Sequence, residues 1–199
     1  MIAFRGRHLL LDVEGTTSAV AFVYEVLFPY ARRHLETFVR QNWQSPELAQ
    51  LRTIHGSEVP TTSADEFSSA LLLLMEQDAK ATVLKEVQGL IWRRGFESGE
   101  LQAHVYEDVA PTVRAWHQAG KQVSIYSSGS VLAQRLYFSH LAGGTRDLTP
   151  LIHRHFDTTT GPKREAASYV RIATALEAEP RIVLFLSDVC AELDASRDA

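Results

Sequence analysis

Residues 9–18 read LLLDVEGTTS, an apolar run that ends in two carboxylates and a turn. Three consecutive leucines call for burial on both faces, which suits a strand of a parallel sheet covered by helices. Asp12 and Glu14 emerge at its carboxyl end, spaced by Val13, and Gly15 lets the chain turn away. Ligands of open α/β sheets bind at that end of the strands. Other runs that end in polar chemistry therefore become informative.

Three more are present. Gln122–Ser127 (QVSIYS) leads into Ser128-Gly129-Ser130, and Leu151–Asp157 (LIHRHFD), poorer in apolar residues, leads into TTTGPKRE with Lys163 at a helix start. Arg181–Asp188 (RIVLFLSD) closes on Ser187-Asp188. Helical patterns over Pro111–Ala119, Val131–Leu141 and Lys163–Leu176 separate these runs, so the second half predicts right-handed βαβ units. Residues 16–104 carry no strand pattern. They predict helices over Phe22–Trp43, Ala64–Ala79 and Ala81–Phe96, with HGSEVPTTSADEF as a loop. The expected fold is α/β: a Rossmann-like parallel-sheet core of residues 1–15 and 105–199, with an inserted all-helical cap of residues 16–104.

Composition narrows the function. Of 199 residues 22% are charged, and the net charge of -4 gives no basic surface for nucleic acid. The single cysteine, Cys190, excludes an intrachain disulfide. The apolar run near the N-terminus is too short and too charged for a signal peptide. The longest one elsewhere, Ala70–Met75, is far below the roughly 20 residues that span a bilayer. A cytoplasmic protein without membrane or nucleic-acid partners is expected.

Four parallel strands would gather Asp12, Ser127, Lys163 and Asp188 at one rim. Two carboxylates from different strands can hold a hard cation, and few protein ligands with retained waters suit Mg²⁺. A serine hydroxyl and the amides of a Ser-Gly turn can cradle phosphate oxygens. A lysine there neutralises charge, and an aspartate can form an aspartyl-phosphate. Taken singly each residue has a plainer reading: an aspartate after an apolar run is usually a cap, Ser-Ser-Gly a turn, and a first-turn lysine a solvated one. Their joint appearance at strand ends carries the argument. No G-x-S-x-G surrounds Ser127, TTTGPKRE lacks the first half of a P-loop, and His153 and His155, which share one strand face, read as ordinary strand residues rather than a metal pair.

Asp12-Val13-Glu14-Gly15-Thr16-Thr17, the Ser127-Ser128 pair, Lys163 and Ser187-Asp188 together resemble the four motifs of haloacid-dehalogenase-type phosphotransferases. The usual first motif is Asp-x-Asp, and glutamate at position 14 narrows the match. DVEGTTSAVAFVYEVLFPYA, LKEVQGLIWRRGFESGEL, YSSGSVLAQRLYF, FDTTTGPKREAASYVRIA and LFLSDVCAELDA are similar to the enolase-phosphatase (acireductone synthase) family of methionine salvage, from Leu9 to Ala195. That resemblance implies a monomeric, Mg²⁺-dependent enzyme. It would enolise 2,3-diketo-5-methylthiopentyl 1-phosphate and then release phosphate to give the acireductone.

Carried onto this chain, the resemblance makes Asp12 the nucleophile and a metal ligand. Glu14 would bind Mg²⁺ through its main-chain carbonyl and act as acid and base through its side chain, and Asp188 would complete the metal site. Ser127 and Ser128 would bind the phosphate or diketone oxygens, and Lys163 the phosphate. The helical insert would close over the site and contact the methylthio tail. Phe22, Phe28, Trp92, Lys85 and Gln88 are candidates there, although large apolar residues on helices are usually core. The chain stops at Ala199 with no glycine or proline stop signal, whereas another strand normally follows in the family, so a core lacking its C-terminal strand is expected. The competing readings are another small-molecule phosphatase of the superfamily, an inactive truncated chain, and a non-catalytic binding module.

Overall fold

The computed structural model describes residues 4–143 and 147–199. Along the chain run β1 (His8–Leu11), a single turn α1 (Val20–Phe22), a π-helical turn (Val23–Leu27), α2 (Phe28–Asn42), α3 (Pro46–Ile54), α4 (Ala64–Glu76) and α5 (Thr82–Ser98). There follow α6 (Val109–Gln118), β2 (Gln122–Tyr126), α7 (Val131–Ser139), β3 (Ile152–Phe156), α8 (Ala166–Ala175), β4 (Val183–Leu186) and α9 (Cys190–Arg197). The chain divides into a sheet unit, residues 1–22 with 102–199, and a helical unit, residues 23–101. The sequence reading set the joins at 15/16 and 104/105.

In the sheet unit four parallel strands lie in the order β3-β2-β1-β4. β1 is interior and every residue of it is buried, Leu9, Leu10 and Leu11 to 3% exposure or less. Burial of a leucine stabilises by roughly 1.5–3 kcal/mol, so the run resists any slip that would move Asp12 along the rim. Leu11 pairs with Ile125 on one side and Leu186 on the other. The ladder continues one step further, where the Asp12 N–H donates to the Leu186 carbonyl at 3.0 Å and the Ser127 N–H to the Phe156 carbonyl at 3.2 Å. On one face Leu10, Tyr126, Phe156 and Phe185 pack with Tyr169, Ile172, Leu176 and Ala195.

Three local expectations are corrected. Helix α8 starts at Ala166, so Lys163 stands in a turn before the helix rather than in its first turn. There the Glu165 N–H donates to the Pro162 carbonyl at 3.2 Å, which curls the chain back before the helix begins. The long helix expected from Phe22 is interrupted by the π turn. Pro29 has no N–H to give the Glu25 carbonyl four residues back, so a regular α ladder cannot close there. Helix α3 was not anticipated, although Ser45 caps it by accepting from the Leu48 N–H at 3.2 Å and Pro46 opens it.

In the helical unit α2 packs on α4 and α5. Leu35 and Val39 of α2, Phe67 and Leu71 of α4, and Val87 and Ile91 of α5 are all buried. Phe28 stacks on Trp92 at 6.2 Å, and the Trp92 indole N–H donates to the Leu27 carbonyl at 2.8 Å. Gln88 is buried. His55, also buried, lies between two carboxylates, with Nδ1 2.6 Å from Glu58 and Nε2 2.9 Å from Glu86. The Glu58 hydrogen bond, aided by Glu86, holds its pKa above the usual 6.5. A folded-state pKa raised in this way stabilises below 6.5 and loses that stabilisation as pH climbs through the raised value. The unfolding midpoint should therefore fall as pH rises above 6.5. In His55→Gln that part of the pH dependence should vanish in a differential-scanning titration.

Candidate active site

Each expected residue comes from the carboxyl end of a strand or from the loop that follows it, all within the sheet unit. Asp12 follows β1 directly and is 2% exposed. Its Oδ1 accepts from the Val13 N–H at 2.8 Å and from Lys163 Nζ at 2.5 Å, and its Oδ2 lies 3.3 Å from Ser187 Oγ. Burial lifts the Asp12 carboxyl to about 6, against the lowering pull of Lys163.

Lys163 reaches Asp12 from the turn before α8. The Tyr169 hydroxyl donates to the Lys163 carbonyl at 2.6 Å, and the ammonium sits 5.9 Å from the Tyr126 ring centre. Tyr126 in turn donates to the Gly161 carbonyl at 2.8 Å, so two core tyrosines fix the turn at both sides of the lysine. Lys163 also pairs with Glu192 at 2.7 Å. Burial alone would pull the lysine down, but Asp12 and Glu192 together hold it above the ordinary lysine value. The two partners move the same way for a simple reason. The lysine has two carboxylates to stabilise its charge, whereas Asp12 shares one ammonium with Glu192.

Sequence reasoning missed Glu192. A glutamate in AELDA on a terminal helix looks solvated, yet it is buried and also accepts from Ser187 Oγ at 3.0 Å. Nothing in its local sequence separates it from an ordinary solvated acid in the first turn of α9.

Glu14 and Ser127 are brought together. Ser127 Oγ donates toward the Glu14 carboxylate, 3.2 Å from Oε2 and 3.3 Å from Oε1, and accepts from the Gly129 N–H at 3.1 Å. Ser127 is buried while Ser128 beside it is exposed. Gln134 secures this loop from below: its amide donates to the Gly129 and Phe156 carbonyls, both at 2.8 Å. His155, far from any metal role, contacts the oxygen of the same Gln134 at 3.1 Å.

Asp188 is exposed and follows β4. Its N–H donates to Thr16 Oγ1 at 3.1 Å, and its carboxylate lies against Gly15 so closely that a Cβ there would collide with it. Gly15 also has φ of +84°, so glycine is required twice over. The loop after β1 and the end of β4 are thus joined beside the Glu14 peptide.

Among the described residues no three His, Cys, Asp or Glu side chains form a group that could hold a metal ion. The donor set here is different in kind. Asp12 and Asp188 would offer carboxylate oxygens and Glu14 a main-chain carbonyl, and water and substrate would supply the remainder, which is how Mg²⁺ is usually held. Among the described residues, the long Ser187 contact is the side-chain hydrogen bond to Asp12 Oδ2 that a cation would compete with. The residues therefore fit a hard divalent ion.

A family model described as haloacid dehalogenase-like hydrolase matches residues 7–199. The chain is 49% identical over 193 residues to "Enolase-phosphatase E1" of Pseudomonas fluorescens, covering 96% of this chain and 84% of the relative. It is 50% identical over 195 residues to the protein of the same name from Azotobacter vinelandii, covering 97% and 85%. The crystal structure of the UTR4 protein of Saccharomyces cerevisiae superposes with a TM-score of 0.84 at 35% identity, covering 98% of this chain and 86% of that one.

Proposed function

The chain belongs to the haloacid dehalogenase-like hydrolases and, within them, to the enolase-phosphatases; from that premise we propose that it converts 2,3-diketo-5-methylthiopentyl 1-phosphate to the acireductone and inorganic phosphate. The observation that carries the reading is the Lys163–Asp12 contact at 2.5 Å beside a Glu14 carboxylate held by Ser127. It supports a reading in which Asp12 is the nucleophile, Lys163 its neutralising cation and Glu14 the second acid.

In this reading the Asp12 carboxylate attacks phosphorus, the phosphorus–oxygen bond of the ester breaks, and Glu14 supplies the proton to the departing enol oxygen. Glu14, now a carboxylate, takes a proton from water as that water cleaves the aspartyl-phosphate and returns Asp12. Lys163 draws the anionic phosphate to a rim whose other charges are negative, and Ser127 and Ser128 orient its oxygens or those of the diketone. When bound by Asp12, Asp188 and the Glu14 carbonyl, Mg²⁺ would polarise the diketone for enolisation and offset the repulsion between carboxylate and phosphate. The helical unit, residues 23–101, is proposed as the cap that selects the substrate tail. Action as a cytoplasmic monomer is part of the proposal; among the described residues no helix is long and apolar enough to cross a membrane.

Purified protein supplied with Mg²⁺ and the diketone phosphate should show a rise in enol absorbance followed by phosphate release. Phosphate released from unrelated esters, with no enol absorbance from this substrate, would identify another small-molecule phosphatase of the same family.

A further inference from the structure

The loop that carries Glu14 is held from behind by groups that no step above uses. The Gly15 N–H donates to the Ser18 carbonyl at 2.7 Å, and residues 14 and 18 form an isolated parallel bridge. The Glu14 carbonyl and the Gly15 N–H are opposite ends of one planar trans peptide, so they point in opposite directions. Anchoring that N–H on Ser18 aims the Glu14 carbonyl oxygen out of the other side of the loop. The turn is closed further by Thr16, Thr17 and Ser18, whose N–H groups all donate to the Val13 carbonyl at 2.9–3.2 Å.

Ser18 is itself tied down. Its hydroxyl lies 2.5 Å from the Tyr137 hydroxyl, and Tyr137 also bonds the His104 carbonyl. A carbonyl can only accept, so Tyr137 donates to His104 and receives the Ser18 proton. Ser18 and Tyr137 are 2% and 7% exposed. The Tyr137 ring is wedged edge-on between Phe22 and Phe138, 5.6 Å from each. A rigid aromatic on α7 thus fixes the far end of the β1 loop through one hydroxyl.

We propose that Ser18 and Tyr137 are a positioning pair for the metal: their hydroxyl contact fixes residue 18, whose main-chain carbonyl holds the Gly15 N–H and so orients the Glu14 carbonyl, and the pair thereby sets divalent-cation affinity without touching the ion. The inference rests on the Mg²⁺-phosphatase reading and adds to it residues outside the four motifs. Outer partners of this kind typically change metal affinity by about 10–100-fold.

The test is a calorimetric titration of the metal-free protein with Mg²⁺ alone. Tyr137→Phe keeps the ring and removes only the hydroxyl; Ser18→Ala removes its partner. Each should weaken Mg²⁺ binding by about tenfold, and the double variant should be no weaker than either single one. The KM for the phosphate ester at saturating Mg²⁺ should stay within about twofold of wild type, a split that general loss of packing would not produce. Mg²⁺ affinities equal to wild type in both single variants would overturn the proposal. If Tyr137→Phe fails to fold, Ser18→Ala decides alone. Wild-type protein that binds no Mg²⁺, or an Asp188→Asn variant that binds as well as wild type, would instead sink the metal reading on which the inference rests.

Discussion

Replacing Asp12 with asparagine is expected to abolish phosphate release, by at least about 10⁴-fold in kcat, while leaving the fold intact. The amide keeps the shape that the sheet rim has packed around, and Leu9–Leu11 still hold the strand in place. The variant should also be more stable than wild type at neutral pH. The reason is the carboxyl's folded pKa of about 6 against an ordinary 3.8. Between these values the folded chain binds a proton that the unfolded chain has released, so stability falls as pH rises through that window. Above about 6 the ionised Asp12 costs on the order of 3 kcal/mol as an upper bound. Asp12→Asn removes this cost. Its advantage in unfolding midpoint should be full above pH 6 and fade toward pH 4. A variant less stable than wild type at pH 7 would show that the Lys163 attraction outweighs burial.

Replacing Lys163 with methionine should remove activity and stability together. The ammonium separates two buried carboxylates, 2.5 Å from Asp12 and 2.7 Å from Glu192. Removing one partner of a buried pair typically costs about 3–5 kcal/mol, and here two acids lose their counter-charge. The site should respond by taking up a proton, which leaves Asp12 neutral and unable to attack. Loss of about 10²–10³-fold in kcat is expected, with the acid limb of the remaining rate profile moved upward. The double variant Lys163→Met/Glu192→Gln should regain much of the stability but not the activity. A double variant as unstable as the single one would show that Lys163 acts through packing on Tyr126 rather than through charge.

How far the site was legible depended on where each residue's constraint lies. Asp12 and Ser127 directly follow strands that are buried nearly throughout, which leave little freedom about where the next residue emerges, whereas Asp188 comes two residues after β4, a half-buried edge strand, and was legible from the Ser-Asp motif that ends its run. Lys163 was legible as chemistry but not in its setting, because the turn that holds it is made by Tyr126 and Tyr169, remote in sequence. Glu192 and Tyr137 were not legible at all. Both sit in short helices whose polar residues look solvated, and only the assembled sheet shows that each faces inward. The same holds in the helical unit. The helix pattern was readable, but the π turn arises from a missing donor at Pro29, which hydrophobic periodicity does not register. Helix α3 was signalled by Ser45-Pro46-Glu47, a start signal that its weak amphipathic face did nothing to reinforce.

The proposed reaction phosphorylates Asp12 covalently, and that intermediate can be trapped. The protein is mixed with Mg²⁺ and the diketone phosphate, quenched in acid within one turnover, and treated with borohydride, which reduces an acyl phosphate to an alcohol. Mass spectrometry of the peptide spanning β1 should find homoserine at position 12, and Asp188 and Glu14 unchanged. Phosphate released in full with Asp12 unmodified, or the reduced residue found elsewhere, would exclude Asp12 as the nucleophile.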